Sequence, residues 1–260
     1  SMNHPFGGVT IVGAVNTQQA KSLEGATSAS VSIDAALAAL DESGVDRNDI
    51  DGVAGETSDD VVYALGLGPV WESRTGLGIR AIVESALAIK AGLCNTVLMV
   101  AGRAGTYTEH ASTAPWTRAS SEFSSAVGMY TAVDFALLAR RHMAVYGTRP
   151  EHFARAASLI RNNGHVNPEA VFYGKGPYSP ADVLASRMVA DPFHLLDCCI
   201  TSEGGCAIVL TSAERAKDLR RTPVQILGAG IDHMGRPHHN PPSWDLRSSE
   251  QGIPNGYVGR

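Results

Sequence analysis

Short apolar runs alternate with longer amphipathic segments through the first part of the chain. The apolar runs predict four strands, at residues 9–15, 53–55, 69–71 and 96–101. The amphipathic segments predict three helices, at residues 29–43, 60–67 and 76–91, and Gly44 and Gly92 supply helix stops. This β-α-β-α-β-α-β order is typical of a parallel sheet covered by helices, so we predict an α/β fold.

The pattern changes at residue 103. Residues 103–125 are polar without a period, and a loop of this length in a compact domain is commonly functional. Further helices are predicted at residues 130–146, 150–162, 181–189 and 213–219, and further strands at residues 207–210 and 224–229. We therefore predict an N-terminal domain over residues 1–220, with a loop and helical insertion at about 103–190. Residues 221–260 are predicted to begin a second, truncated domain.

Composition narrows the functional classes. The net charge is −5, which argues against a general role in binding nucleic acid or anionic membranes. The 4 cysteines form no CxxC pair, and the start of the chain has no signal-peptide pattern. Since no apolar run reaches the roughly 18 residues of a membrane span, we expect a cytoplasmic protein with free thiols and no membrane span.

Residues 71–100 carry a first resemblance to a known family, and they read WESRTGLGIRAIVESALAIKAGLCNTVLMV. Thiolases place a nucleophilic cysteine at the start of a buried helix, in a V-N-x-x-C-x-S-G-x-x-A context. The helix then runs into an A-x-x-A-I-x-x-G-x-x-x-x-V-L segment. Gly78, Ala81 and Gly92 fall in register with this pattern, and the position of the family's cysteine falls on Thr75.

Residues 191–210, DPFHLLDCCITSEGGCAIVL, carry a second resemblance. They are similar to the P-x-x-x-L-D-C-x-x-x-S-D-G-A-A-A-V-V-L segment of sterol-carrier-protein-x thiolases and bacterial lipid-transfer proteins, with Glu203 in place of the usual aspartate. Together the two segments resemble thiolase-fold lipid-transfer proteins, a branch that includes retro-aldolases of steroid side-chain CoA thioesters. The resemblance implies a thiolase-like layered fold, with a parallel-rich sheet between helices and an incomplete second half.

The resemblance also implies a function. The expected substrate is a bulky acyl-CoA thioester, so that coenzyme A enters as part of the substrate, and the expected reaction is carbon–carbon bond cleavage. A homodimer and an OB-fold acyl-CoA-binding partner are implied as well. Two alternatives to a retro-aldolase stay open: a true acyl-CoA thiolase or acyltransferase, and a non-catalytic dimerisation scaffold for the OB-fold partner.

Thr75 bears on the choice between these reactions. A helix N-terminus lowers the pKa of a cysteine thiol and so creates a nucleophilic thiolate, but it does not usefully ionise a threonine hydroxyl. We therefore expect Thr75 to occupy the nucleophile's position without being a nucleophile, either as a helix cap or as a polar group facing substrate. A retro-aldol reaction, which needs a base and donors to a thioester enolate, is favoured over thiolysis.

Four further residues are candidates for the site. Arg103 and His110 begin the loop after the strand at residues 96–101, where parallel sheets bind ligands. Lys175 lies in the Gly/Pro-containing loop VFYGKGPYS and is either a contact to a coenzyme A phosphate or a solvated charge. Tyr257 lies near the region where related aldolases carry an acid/base tyrosine.

The cysteines and the other acidic and histidine side chains are weaker candidates for the site. Cys94 is interpreted as an ordinary surface or core cysteine, and Cys198 and Cys199 as packing residues or as lining of the site. A cluster of acidic and histidine side chains near the end of the chain fits no standard zinc spacing, so we expect no metal site. The cluster consists of Asp232, His233, His238 and His239.

Overall fold

The computed structural model describes residues 5–75, 78–105 and 125–230 of the chain. The chain divides into two compact units. The described part of the first unit comprises residues 5–75, 78–105 and 202–230, and that of the second comprises residues 125–201. The domain boundary expected near residue 220 stays a prediction, because only the first part of residues 221–260 is described.

Eight strands and seven α-helices occur in the described residues. The strands are β1 Val9–Asn16, β2 Gly52–Ala54, β3 Trp71–Ser73, β4 Thr96–Arg103, β5 Met188–Ala190, β6 Phe193–His194, β7 Gly204–Ser212 and β8 Val224–Gln225. The helices are α1 Ser28–Ser43, α2 Ser58–Leu65, α3 Gly78–Lys90, α4 Thr131–Tyr146, α5 Pro150–Val166, α6 Pro180–Ala185 and α7 Ala213–Ala216. No helix among these is long and apolar enough to cross a membrane.

The first unit is built around a six-stranded sheet in the order β3-β2-β4-β7-β1-β8. β2 pairs in parallel with both β3 and β4, and β7 pairs antiparallel with both β4 and β1. β1 to β4 therefore run in one direction, and β7 and β8 run in the other. The predicted parallel-rich sheet is confirmed. The antiparallel placement of β7 between β1 and β4 was not predicted, because its apolar pattern carries no information on direction.

Helices cover both faces of this sheet. Val97 and Met99 of β4 pack with α3, whereas Leu98 and Val100 pack on the opposite face with α1 and α2. All four side chains are buried, because alternation along the strand sends apolar groups to both covered faces. The predicted layered arrangement, with a sheet between helices, is confirmed.

Two glycines allow α1 to lie close to the sheet. A Cβ added to Gly102 of β4 would overlap the carbonyl of Ser28, and a Cβ added to Gly205 of β7 would overlap the carbonyl of Val31. The Ser28 hydroxyl also joins the start of α1 to the end of β4, since its Oγ accepts a hydrogen bond from Ala104 N at 3.2 Å. The start of α1 is therefore fixed against the ends of the central strands.

The second unit consists of α4, α5, α6 and the antiparallel β5–β6 hairpin. α4 and α5 confirm the predicted helices, although α5 continues to Val166. The helix predicted at residues 181–189 is wrong in its second half. α6 ends at Ala185 because Ser186 is extended and its hydroxyl donates to the Val183 carbonyl, and β5 follows instead of a further helical turn.

Several other element boundaries differ from the predictions, among them those of β3, β8 and α7. β3 lies two residues later than the run at residues 69–71, because Trp71 to Ser73 are the residues that pair with β2. β8 ends at Gln225 and α7 ends at Ala216, so both are shorter than predicted. Ser212 caps α7 as its hydroxyl accepts from Arg215 N.

Candidate active site

The carboxyl ends of β1 to β4 meet at one edge of the six-stranded sheet, because these strands run in the same direction. Doubly wound sheets bind ligands at such an edge. Glu56 follows β2, Thr75 follows β3, and Arg103 ends β4. We call this side the carboxyl edge, and the opposite side, where β4 begins at Thr96, the amino edge.

Thr75 belongs to a group of hydrogen-bonded oxygen atoms at the carboxyl edge. Ser73 Oγ and Thr75 Oγ1 lie 2.8 Å apart. Ser73 Oγ donates to Glu84 Oε2 at 2.8 Å, and Thr75 Oγ1 donates to the same carboxylate oxygen. Arg80 Nε donates to the other oxygen, Oε1, at 3.0 Å. We call Ser73, Thr75 and Glu84 the hydroxyl–carboxylate cluster.

The local fold explains how these three residues meet. Ser73 is the last residue of β3, and Thr75 follows it on the way to α3. Glu84 lies in the second turn of α3, and helical side chains lean toward the N-terminus of their helix. The Glu84 carboxylate therefore reaches back to the two hydroxyls and ties the end of β3 to α3.

Opposing effects set the pKa of Glu84. Burial alone raises it, but hydrogen bonds from Thr75, Ser73 and Arg80, together with the positive charge of Arg80, hold the pKa below its usual range. The side chain is ionised at neutral pH as a result. The cluster is thus an anionic group of acceptors.

This arrangement makes Thr75 a poor nucleophile. A carboxylate whose pKa is lowered is a weak base, so Glu84 is not suited to removing the hydroxyl proton of Thr75. The cluster is suited instead to hydrogen bonding with a bound ligand. The prediction that Thr75 caps the following helix stays a prediction, because residues 76–77 lie outside the described residues.

Arg103 supplies positive charge at the carboxyl edge. Its Nη2 lies 3.5 Å from Glu56 Oε2, and the two side chains are 66% and 38% exposed. An exposed pair of this kind contributes at most about 1 kcal/mol, so an anionic ligand can replace Glu56 as its partner. β3, which leads to Thr75, and β4, which ends at Arg103, lie on either side of β2 in the sheet.

Sequence reasoning missed three residues at this edge: Ser73, Glu56 and Glu84. A signal for Glu84 was available, since it is the one acidic residue of α3 and lies among apolar neighbours. No comparable signal marked Ser73, whose role depends on where β3 ends. Glu56 is paired with Arg103 only through the tertiary fold.

The amino edge holds Cys94 in a different environment. The residue is 3% exposed and lies between α3 and β4 in the chain. Burial, aided by the negative charge of Asp51, raises the pKa of the Cys94 thiol to about 11. The interpretation of Cys94 as a packing residue agrees with this environment, which disfavours the thiolate.

Lys175 lies in the second unit on a loop that is fastened to α5. Its Nζ lies 5.4 Å from the centre of the Phe172 ring, and the Arg161 guanidinium carbon lies 4.5 Å from the same ring centre. Asn162 accepts from Tyr178 N at 2.7 Å and donates to Tyr178 O at 2.9 Å. The loop is therefore ordered by side chains of α5, while Lys175 itself is exposed.

Cys198 and Cys199 follow the β5–β6 hairpin in the second unit. Arg161 Nη2 donates to the Cys198 carbonyl at 2.7 Å, which fixes the backbone of this segment. Burial raises the pKa of the Cys198 thiol, the charge of Asp197 and the neighbouring Cys199 add to the rise, and Arg161 partly offsets it. Cys198 therefore has the environment of a packing residue.

Glu203, which stands where the family motif has an aspartate, has a structural role. It is fully buried, and its Oε2 accepts from Leu23 N at 2.7 Å. Its backbone N–H and carbonyl also pair with Ala20. These bonds fasten the segment between β1 and α1 to the start of β7.

His110 and Tyr257 lie outside the described residues, as does the cluster of Asp232, His233, His238 and His239. Within the part of the chain that the structure describes, no three His, Cys, Asp or Glu side chains are grouped so as to hold a metal ion. Of the five predicted site residues, the structure places Thr75 and Arg103 at the carboxyl edge and Lys175 in the second unit.

Comparison with known proteins identifies relatives over most of the chain, although no family model matches it. The chain is 32% identical to the steroid side-chain-cleaving aldolase of Thermomonospora curvata, over 98% of this chain and 69% of that protein. It is also 32% identical to 17-hydroxy-3-oxo-4-pregnene-20-carboxyl-CoA lyase of Mycobacterium tuberculosis, over 86% of this chain and 62% of that protein.

A solved structure agrees with the sequence comparison. The Ltp2-ChsH2(DUF35) aldolase superposes with a TM-score of 0.75 and 31% sequence identity, over 86% of this chain and 60% of that chain. The chain thus spans between 60% and 69% of the length of these three relatives.

Proposed function

The chain belongs to the thiolase-like family of lipid-transfer proteins and steroid side-chain-cleaving aldolases. On this premise we propose that it acts on a bulky acyl-CoA thioester and cleaves a carbon–carbon bond by a retro-aldol reaction. The predicted resemblance to this family is confirmed by the relatives. The names of two of them, an aldolase and a carboxyl-CoA lyase, support both the thioester and the bond that is broken.

The observation that carries the reaction type is the environment of Thr75. At the position where thiolases have a nucleophilic cysteine, this chain has the Thr75 hydroxyl, which is hydrogen-bonded to the ionised carboxylate of Glu84. Cys94, the cysteine that adjoins the other end of α3, is buried with a raised thiol pKa. Acyl transfer through a cysteine thiolate at either end of α3 is therefore poorly supported, whereas a non-covalent reaction needs no such group.

A retro-aldol reaction accounts for all bonds, electron pairs and protons without a covalent enzyme intermediate. A base takes the proton of the substrate's β-hydroxyl, whose oxygen becomes the carbonyl oxygen of the released ketone or aldehyde. The bond between the α- and β-carbons breaks, and its electron pair forms the enolate of the shortened thioester. Hydrogen-bond donors stabilise that enolate until its α-carbon takes up a proton. His110 and Tyr257 are our proposed acid/base residues.

Two cations are proposed contacts for the coenzyme A part of the substrate. Arg103 is exposed at the carboxyl edge with a weakly held partner, and Lys175 is exposed on an ordered loop. Phosphate groups are the natural partners of such side chains. The proposal further includes a homodimer and an OB-fold acyl-CoA-binding partner, as the family resemblance implies, and a cytoplasmic location, which rests on the cysteine pattern.

The test is a substrate comparison with the whole protein that contains this chain. A β-hydroxyacyl-CoA and the corresponding β-ketoacyl-CoA are each incubated with and without free coenzyme A, and products are followed by mass spectrometry. We expect cleavage of the hydroxy thioester without added coenzyme A. Cleavage of the keto thioester alone, dependent on free coenzyme A, would establish thiolysis and overturn the proposal.

A scaffold function predicts a third outcome. If no thioester turns over while an OB-fold acyl-CoA-binding partner co-purifies tightly, the protein is a non-catalytic platform and the enzyme proposal is wrong. Turnover should therefore be measured both for the isolated protein and after addition of the partner.

A further inference from the structure

The hydroxyl–carboxylate cluster contains fewer hydrogens than hydrogen-bond contacts. Three oxygens, Ser73 Oγ, Thr75 Oγ1 and Glu84 Oε2, contact one another in all three pairs. The two hydroxyls bring one hydrogen each, and the ionised carboxylate brings none. Both hydroxyls donate to Glu84, so the contact between Ser73 and Thr75 has no hydrogen of its own. The cluster therefore has lone pairs in excess of donors.

Within the described residues, which do not include residues 76–77 next to Thr75, this excess of lone pairs is uncompensated on the Oε2 side of Glu84. Arg80, the described cation that contacts Glu84, donates to Oε1, whereas both hydroxyls donate to Oε2. The side chain of Glu84 is 28% exposed and Thr75 is half-buried. A ligand can reach such a group, and the partial removal of water strengthens its hydrogen bonds. A ligand hydroxyl would supply the missing donor, while a ligand carbonyl would place one more lone pair against the cluster.

We propose that Thr75 Oγ1 accepts a hydrogen bond from the β-hydroxyl of the thioester substrate, and that Glu84 positions Thr75 for this role by accepting the Thr75 hydroxyl hydrogen. The inference rests on the proposed function and names the substrate group that the carboxyl edge recognises. Thr75 then selects β-hydroxy over β-keto thioesters, because a ketone oxygen has no hydrogen to donate. The position that binds the acyl group covalently in thiolases is thus a specificity determinant in this chain.

The experiment separates binding from turnover. The probes are two thioether analogues of coenzyme A, in which a methylene group replaces the thioester carbonyl, so that no enolate forms and no cleavage occurs. One analogue carries the β-hydroxyl and the other has hydrogen in its place. For the unmodified protein we expect the hydroxy analogue to bind about tenfold more tightly or better, as a hydrogen bond to a charged network does.

Four variants test which residues cause the preference for the hydroxy analogue. Thr75→Val keeps the side-chain shape and removes the acceptor, so the preference should disappear. Thr75→Ser keeps the hydroxyl and should retain it. Glu84→Gln introduces an amide that supplies the donors the cluster lacks, so the preference should fall to about twofold or less. Glu42→Gln is the matched control, because Glu42 is 24% exposed, is paired with Arg221 and accepts from Ala14 N at β1. It should leave the preference unchanged.

The outcomes for binding and for turnover are distinguishable. An unchanged preference in both Thr75→Val and Glu84→Gln, in a protein that cleaves the hydroxy thioester, overturns this inference and leaves the proposed function standing. Loss of the preference in both, with retention in Thr75→Ser and Glu42→Gln, supports the inference. If the unmodified protein shows no preference for the hydroxy analogue, the inference is wrong whatever the protein cleaves. Urea unfolding of each variant checks that the fold is intact.

Discussion

The two ends of α3 each lie beside a carboxylate, but the carboxylates have different kinds of partners. At the amino edge, the carboxylate of Asp51 accepts from the backbone N–H groups of Asn95 and Thr96 at 2.8–2.9 Å. The side-chain amide of Asn95 adds a further bond at 2.7 Å. At the carboxyl edge, Glu84 is bonded instead to side-chain hydroxyls.

This difference separates a structural carboxylate from one that is available to a ligand. Backbone N–H groups have no lone pairs, so the backbone partners of Asp51 offer no acceptor to a ligand. Hydroxyls are acceptors as well as donors, so Ser73 and Thr75 keep lone pairs after donating to Glu84. The expected consequence is that replacing the Asp51 carboxylate affects mainly stability, while replacing the Glu84 carboxylate affects mainly recognition.

The largest effect on stability is expected at a glycine on the carboxyl edge. In Gly102→Ala the new Cβ overlaps the backbone of α1 at Ser28, so we expect a loss of about 3 kcal/mol or more. Gly92→Ala, at the end of α3 on the amino edge, is the control. Its φ is 73° but no atom lies within 4 Å of the added Cβ, so only the left-handed conformation costs free energy, about 1 kcal/mol. Urea midpoints measure both, and an equal loss in the two variants would contradict the close approach of α1.

Much of this arrangement was predictable from the sequence, and the rest depends on tertiary placement. The hydrophobic periodicity and the glycine helix stops located α1, α3 and β4, and the motif placed Thr75 at the start of the helix that follows β3. Glu84 was missed because a lone acid within an amphipathic helix is normally a solvated charge. The β5–β6 hairpin was missed because Met188 and its neighbours are apolar at a spacing that also fits a helix. The direction of β7 was missed because its apolar pattern carries no information on direction.

Asp51→Asn tests the structural carboxylate. Burial raises the pKa of Asp51, but hydrogen bonds from the backbone of Thr96 and Asn95 and from the Asn95 side chain outweigh it and hold the pKa below its usual range. The group therefore contributes stability that is present above the unfolded-state pKa of about 3.9 and is lost as pH falls through the lower folded-state pKa. We expect the variant to be about 2 kcal/mol less stable at neutral pH.

The difference in the free energy of unfolding between the unmodified protein and Asp51→Asn should then narrow as pH falls below about 4. Protonation of Asp51 removes the same charge from the unmodified protein. Unfolding in urea at a series of pH values gives this difference directly, because the other carboxylates titrate in both proteins. Glu84→Gln provides the comparison from the carboxyl edge, and its loss should be under about 1 kcal/mol because the amide still hydrogen-bonds to the hydroxyls, which can accept from its NH2 group. A loss in Glu84→Gln as large as in Asp51→Asn would remove the distinction between the edges.

The smallest effect is expected for a thiol placed at the family's nucleophile position. In Thr75→Cys the sulfur lies beside the ionised Glu84 carboxylate, and a neighbouring negative charge raises the pKa of a thiol. Cys94 illustrates the effect at the other end of α3, where the charge of Asp51 adds to burial in raising the thiol pKa to about 11. The thiolate at position 75 should thus be scarce at neutral pH, and removal of the charge in Thr75→Cys/Glu84→Gln should speed alkylation about tenfold.

Iodoacetamide labelling, followed by mass spectrometry of the peptide that contains position 75, measures this rate separately from the four native cysteines. Thr75→Cys/Glu42→Gln is the control, because Glu42 contacts Ala14 and Arg221 rather than position 75. Equal rates in all three variants would mean that Glu84 exerts no charge effect on this position. A faster rate only when Glu84 is replaced would mean that the carboxylate opposes the thiolate chemistry of the wider family at this helix end, independently of the missing cysteine.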